Sequence, residues 1–188
     1  MRTVFFLLIF WVATAVAQSV AVFVPHDLFR EDEFERLLRG LERANFSVVI
    51  VSSETTAAQG IDGLIIKPER VVKEIAPEEF VGLILSNGSG VVRYWKDTVL
   101  QERCRQFAAA GRLVAAIELA PIILAHAGVL AGKKATVFPH RYSINILKEA
   151  GCRYQFNPVV TDGNIITAAR AEHTPQFVRT IVKKLKGR

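Results

Sequence analysis

Glu118 interrupts an apolar run, Leu113-Val114-Ala115-Ala116-Ile117, and is followed at once by Leu119-Ala120-Pro121. Five apolar residues without alternation suit a strand covered on both faces. Pro121 suits the first turn of a helix, where its missing N–H would have had no helical partner. Strand, one chemically active residue, small residue, helix is the outline of a nucleophile elbow. The tip here is a carboxylate. Carboxylates attack glycosidic and phosphoryl centres but are poor nucleophiles toward carbonyls and aldehydes, where a thiolate excels. Two further segments hold candidate groups. The turn Ser86-Asn87-Gly88-Ser89-Gly90 can present backbone N–H groups to a ligand, which makes Asn87 and Gly88 binding candidates. His26 and Asp27 lie in a loop spanning residues 25–29. His126, His140 and His173 read as packing or surface residues. Cys104 sits in a helical run and Cys152 follows Gly151; nothing in their spacing pairs them or makes a metal motif. No Ser–His–Asp set is visible.

The elements that must position these groups alternate along the chain. Residues 19–24 read as a first buried strand. A helix over 31–44 carries the apolar stripe Phe34, Leu37, Leu38 and Leu41 and ends at Asn45. Strands follow at 46–51, at 64–66 (stopped by Pro68) and at 81–85. A helix over 91–110 closes at Gly111, ahead of the elbow strand. The helix after the elbow runs over 120–130, and a strand over 135–138 stops at Pro139. A helix over 142–150 is capped by Gly151. Residues 154–160 are extended, Thr161-Asp162-Gly163-Asn164 turn a hairpin, and 165–167 return. The last helix spans 174–185. This alternation with an added C-terminal β-hairpin implies an α/β fold: a mostly parallel sheet with helices on both faces. Ligands of such sheets bind at the carboxyl ends of the strands. That edge collects the 25–29 loop, the 86–90 turn and Glu118. No repeat or linker divides residues 18–188, which read as one domain.

Hydrophobic residues make up 51% of the 188, enough for a sizeable core, and the net charge is +6. The basic residues are scattered. Their densest run, Lys183-Lys184-Leu185-Lys186-Gly187-Arg188, reads as a solvated helix end, where cations are favoured. No nucleic-acid motif accompanies it, and no nucleic-acid partner is expected. Residues 1–17 have the form of a signal peptide. Arg2 supplies the positive start, residues 4–16 the apolar core, and Ala15-Val16-Ala17 the small-x-small cleavage pattern before Gln18. A secreted or otherwise extracytoplasmic location follows. Left uncleaved, the segment would be a membrane anchor, but residues 19–24 are needed as the first strand.

Four segments, in this order, resemble the ThiJ/PfpI family, whose fold is the flavodoxin-like, class I glutamine amidotransferase-like architecture. The first is Phe29-Arg30-Glu31-Asp32-Glu33, continued by Leu41-Glu42-Arg43-Ala44-Asn45. The second is the strand from Leu83 into Ser86-Asn87-Gly88. The third is the elbow, Ala115 to Pro121, continued by Leu124-Ala125-His126-Ala127-Gly128-Val129-Leu130-Ala131-Gly132-Lys133-Lys134-Ala135-Thr136. The fourth is Asp162-Gly163-Asn164-Ile165-Ile166-Thr167 with Pro175-Gln176-Phe177. The resemblance implies that Glu33 occupies the family's acidic position beside the elbow and that the protein forms a homo-oligomer, a dimer or larger ring. The departures are as informative. Family enzymes carry Cys at the elbow, commonly followed by His, where this chain has Glu118 and Leu119. The family's Pro-Gly-Gly turn is here Ser86-Asn87-Gly88, and its Ser-Arg-x-Pro segment is Ala168-Ala169-Arg170-Ala171. The family's peptidase, deglycase, glyoxalase and chaperone activities therefore do not carry over as chemistry.

The fold would set Glu33 beside Glu118, and two close carboxylates cannot both ionise cheaply. The pair is expected to share one proton near neutral pH. The residues favour a non-catalytic member, a pseudoenzyme or binding domain. The alternative is a hydrolase or lyase acting on a small molecule through the Glu33/Glu118 pair. A third arrangement would have Glu33 and Glu118, with or without His26, hold a hard cation. The reading favoured here calls for no metal and no cofactor.

Overall fold

A computed structural model describes residues 18–187 of the chain; the expected signal peptide lies outside the described residues. In chain order the elements are β1 (Ser19–Phe23), β2 (Asp27–Phe29), α1 (Glu31–Arg43), β3 (Ser47–Ser52), β4 (Ala58–Gly60), β5 (Ile65–Ile66), β6 (Arg70–Val71), β7 (Gly82–Leu85), α2 (Thr98–Ala109), β8 (Leu113–Ile117), α3 (Pro121–His126), β9 (Lys134–Ala135), α4 (Arg141–Glu149), β10 (Arg153–Tyr154), β11 (Val159–Asp162), β12 (Ile165–Ala168) and α5 (Thr174–Lys186). Seven strands form the central sheet in the order β11-β12-β8-β7-β1-β3-β6. Every neighbouring pair is parallel except β11 with β12, the C-terminal hairpin.

Alternate residues of each strand feed two cores. Ala21 and Phe23 of β1 pack with α2 and α3 residues such as Leu100, Phe107, Ile122 and Ile123. Val20 and Val22 face the other way, with Phe34, Leu37 and Leu41 of α1 and Phe177 and Ile181 of α5. Both faces of the sheet are thus covered, as unbroken apolar strands require. Strand order reverses between β1 and β7. Such a switch point opens a crevice at the carboxyl ends of the strands, and the loops after β1, β7 and β8 meet there.

The structure corrects several expected elements. The run 91–110 is not one helix. Ser89–Tyr94 form a 3-10 turn, and Asp97 then starts α2 afresh by accepting the N–H groups of Val99 and Leu100, both at 2.9 Å. α3 ends at His126, not near residue 130, because Gly128 turns the chain at φ 74°. The expected strand 135–138 reduces to β9, paired with β10 outside the main sheet. The N–H groups beyond it bond elsewhere: Thr136 to Thr167 Oγ1 at 2.8 Å and Phe138 to the Glu118 carbonyl at 2.8 Å. β5 likewise joins β2 and β4 in a small separate sheet.

Candidate functional site

β8 is fully buried along its length, so it delivers Glu118 to the sheet edge at a fixed place. Glu118 adopts φ 59°, a left-handed conformation that costs a non-glycine residue roughly 1–3 kcal/mol unless its surroundings enforce it. They do. Its N–H donates to the Ala168 carbonyl of β12 at 2.9 Å, its carbonyl accepts from Phe138, and Ala120 N–H closes the turn on the Ile117 carbonyl at 3.0 Å. The elbow read from the sequence is present, with a carboxylate at its tip.

Glu33 reaches the same place from the first turn of α1 and is fully buried. The two carboxylates are linked through Asn87. The Asn87 backbone N–H donates to Glu33 Oε1 at 2.8 Å, and its side-chain amide donates to Glu118 Oε2. Asn87 Oδ1 in turn accepts the Leu119 N–H at 3.4 Å. The turn after β7 is pressed into this position by Gly88. Gly88 pairs antiparallel with Phe29, and Arg30 N–H donates to the Asn87 carbonyl at 3.0 Å. At φ 148°, a Cβ on Gly88 would lie 2.2 Å from the Leu28 carbonyl oxygen and 2.5 Å from Phe29 Cα. Only glycine lets the two segments close this tightly.

Burial pushes the Glu33 carboxyl up to about 8, against the Asn87 N–H that favours its anion; the nearby charge of Glu118 adds to the rise. Burial also raises Glu118, opposed by the cations Arg30 and Arg170. Glu33 therefore holds a proton at neutral pH, while Glu118, its Oε2 3.8 Å from Arg30 Nε, sits among cations. Asn87 links the two carboxyl groups, and burial raises the pKa of both.

The remaining candidates fall as follows. His26 is not part of this group: its ring bonds Thr56 Oγ1 at 2.9 Å and lies 3.5 Å from Asp27 and 3.9 Å from Glu54. His26 thus does not join Glu33 and Glu118, and among the described residues no three His, Cys, Asp or Glu side chains converge as metal ligands. The 86–90 turn does not offer the Asn87 N–H to a ligand, because Glu33 takes it. Cys104 and Cys152 are free and buried, and burial raises both thiols, Cys104 to about 12, so neither supplies a thiolate. His126 bonds the Trp95 carbonyl at 2.7 Å and His140 caps α4. His173, read as a surface residue, has its Nδ1 buried without a partner. The sequence reading missed Arg30 and Arg170 as neighbours of Glu118. Their signal was weak: Arg30 is the residue before an acidic first turn, and Arg170 lies in the segment that departs from the resembled pattern.

A doubly wound sheet with a positive-φ elbow after β8 and an acid from α1 beside it defines a class of α/β proteins built around the residue at the elbow tip. The sequence pattern of the DJ-1/PfpI family matches residues 18–184, and the chain belongs to that family. It is 34% identical over 171 residues to an uncharacterized protein of Methanocaldococcus jannaschii, covering 90% of this chain and 83% of that one. It is 29% identical to a deglycase of Pyrococcus horikoshii, over 88% of this chain and 98% of the relative. Among solved structures, a ThiJ/PfpI domain protein from Brachyspira murdochii superposes with a TM-score of 0.87 at 21% identity, covering 92% of this chain and 98% of that one.

Proposed function

We propose that this chain is an exported DJ-1/PfpI-type domain that works by binding and not by the thiol chemistry its family resemblance would imply. One observation carries the reading: the elbow is occupied by its own hydrogen bonds. Acyl or aldehyde chemistry at an elbow needs a free nucleophile and free N–H donors aimed at the developing oxyanion. Here Asn87 and Arg30 engage the Glu118 carboxylate, and Asn87 Oδ1 takes the N–H that follows the elbow. Glu33 takes the other N–H. Export rests on Arg2, the apolar run after it and Ala15-Val16-Ala17.

A second reading has its own support in the Glu33 proton. An acid with a pKa about 8 beneath a carboxylate tip is the pairing of a general acid and a general base. In that reading Glu118 meets the substrate of a hydrolase or lyase, and Glu33, fully buried, acts only through it. One experiment separates the two. The parent, Glu118→Gln and Glu118→Cys are assayed on glyoxal, peptide and small hydrolase substrates. The binding reading expects no turnover by the parent or Glu118→Gln, and turnover, if it emerges at all, in Glu118→Cys alone. Parent activity that disappears in Glu118→Gln would establish the acid/base reading.

A further inference from the structure

Next to the elbow lies a cavity of about 210 Å³, lined by Thr136, Pro139, Phe156, Pro158, Arg170 and His173 among others. At the roughly 30 Å³ a water molecule occupies in the liquid, it has room for about seven waters or one small organic molecule. Two residues of its lining carry polar atoms the protein itself leaves unused. Thr136 is fully buried, and its Oγ1 has no hydrogen-bond partner. His173 Nδ1 is buried and equally without one. A buried hydroxyl or ring nitrogen left unpaired costs about 1–3 kcal/mol, which a ligand atom would recover. Arg170 makes no ion pair among the described residues; its guanidinium lies over the Phe138 ring, 5.0 Å from the centroid. The cavity also sits at the start of α5, where the helix favours a negative charge.

We propose that this cavity is a binding site for a small monocarboxylate with a short apolar body. Arg170 takes the carboxylate, Thr136 Oγ1 and His173 Nδ1 complete its hydrogen bonds, and Pro139, Pro158 and Phe156 wall the apolar part. Phe156 is 82% exposed, a cost that covering a bound ring would offset. A single negative charge fits better than two. Glu172 also lines the cavity and lies 3.8 Å from His173 Nε2, so a dianion such as phosphate would meet a carboxylate as well as one fixed cation. The apolar walls give a phosphate nothing to bury. This deepens the binding reading and rests on it in one respect: the ligand is held and not turned over.

The test is a titration of the protein with benzoate, acetate and inorganic phosphate, followed by calorimetry or ligand-observed NMR. Benzoate is expected to bind saturably and more tightly than acetate, which lacks the apolar body. Arg170→Gln is expected to weaken benzoate by about tenfold or more. Phe156→Ala, a change at an exposed side chain that leaves the core intact, should weaken it several-fold, as should Thr136→Val. No saturable benzoate binding, an unchanged affinity in Arg170→Gln, or phosphate competing as strongly as benzoate would each overturn the assignment. Binding is read by calorimetry and turnover by the substrate assays above, so the two results are obtained independently. Turnover by the parent would therefore sink the non-catalytic reading while leaving this binding result to be judged separately.

Discussion

The elbow and the cavity beside it both bury polar groups, but at the elbow one side chain, Asn87, links them, and in the cavity lining none does. At the elbow, Asn87 hydrogen-bonds with Glu33, Glu118 and Leu119 and so ties the two carboxyl groups together, although Glu33 Oε2, Arg30 Nε and Ser86 Oγ stay buried without a hydrogen-bond partner. In the cavity, Thr136 Oγ1 and His173 Nδ1 are buried with no partner, and the Arg170 cation has no ion pair among the described residues. Hydrogen bonds that link neighbouring groups hold them in place, whereas a buried group left unpaired gains from whatever completes it. The difference teaches that the tip residue of an elbow need not mark where a ligand sits.

The sharpest way to break the elbow side is Gly88→Ala. A Cβ there collides with backbone of Leu28 and Phe29, at a φ that favours glycine, so the clasp that places Asn87 must open. A loss of about 3 kcal/mol or more is expected, with the melting temperature falling by roughly 10 °C in thermal unfolding. The same change should leave the cavity lining untouched, since none of the colliding atoms belongs to it.

A smaller effect comes from pH. Glu33 has its folded pKa raised to about 8 from an ordinary value near 4.5. The folded state then binds more protons than the unfolded state between those values, so stability is greatest below about pH 4.5 and declines as pH rises toward 8. Denaturant melts at pH 5 and pH 8 should differ by on the order of a few kcal/mol from this group, and Glu33→Gln should remove most of that slope. Glu118→Gln should move the midpoint of the decline downward, because the charge on Glu118 helps hold the Glu33 proton. A parent whose stability is flat across this range would show that Glu33 is ionised when buried.

The smallest expected effect probes the cavity side. Thr136→Val keeps the shape of the side chain and removes the unpaired hydroxyl, so the unliganded protein should gain about 1 kcal/mol and melt roughly 2–4 °C higher. The same variant should bind benzoate more weakly. A variant that loses stability instead would mean the hydroxyl already has a partner.

Much of this was legible in the chain itself. The unbroken apolar strands, the stripe on α1, the elbow after Ile117 and the hairpin at Gly163-Asn164 follow from side-chain type and spacing over a few residues. Those are short-range signals, and they sufficed for the parallel sheet, its two helical layers and the edge where Glu118 emerges. Where the helices stop was less legible: Asp97 and Gly128 cut two of them, because one cap or one positive φ outweighs a longer apolar pattern. The tertiary structure alone decided that Asn87 links Glu33 to Glu118, that both N–H donors are already taken, that His26 belongs to a different cluster, and that Arg30 and Arg170 converge on the elbow. It also decided that Thr136 turns its N–H to Thr167 Oγ1 and leaves its own hydroxyl buried and unpaired. Each of these depends on segments tens of residues apart closing to hydrogen-bond distance. Periodicity says which face of an element is buried; it does not say what the element meets.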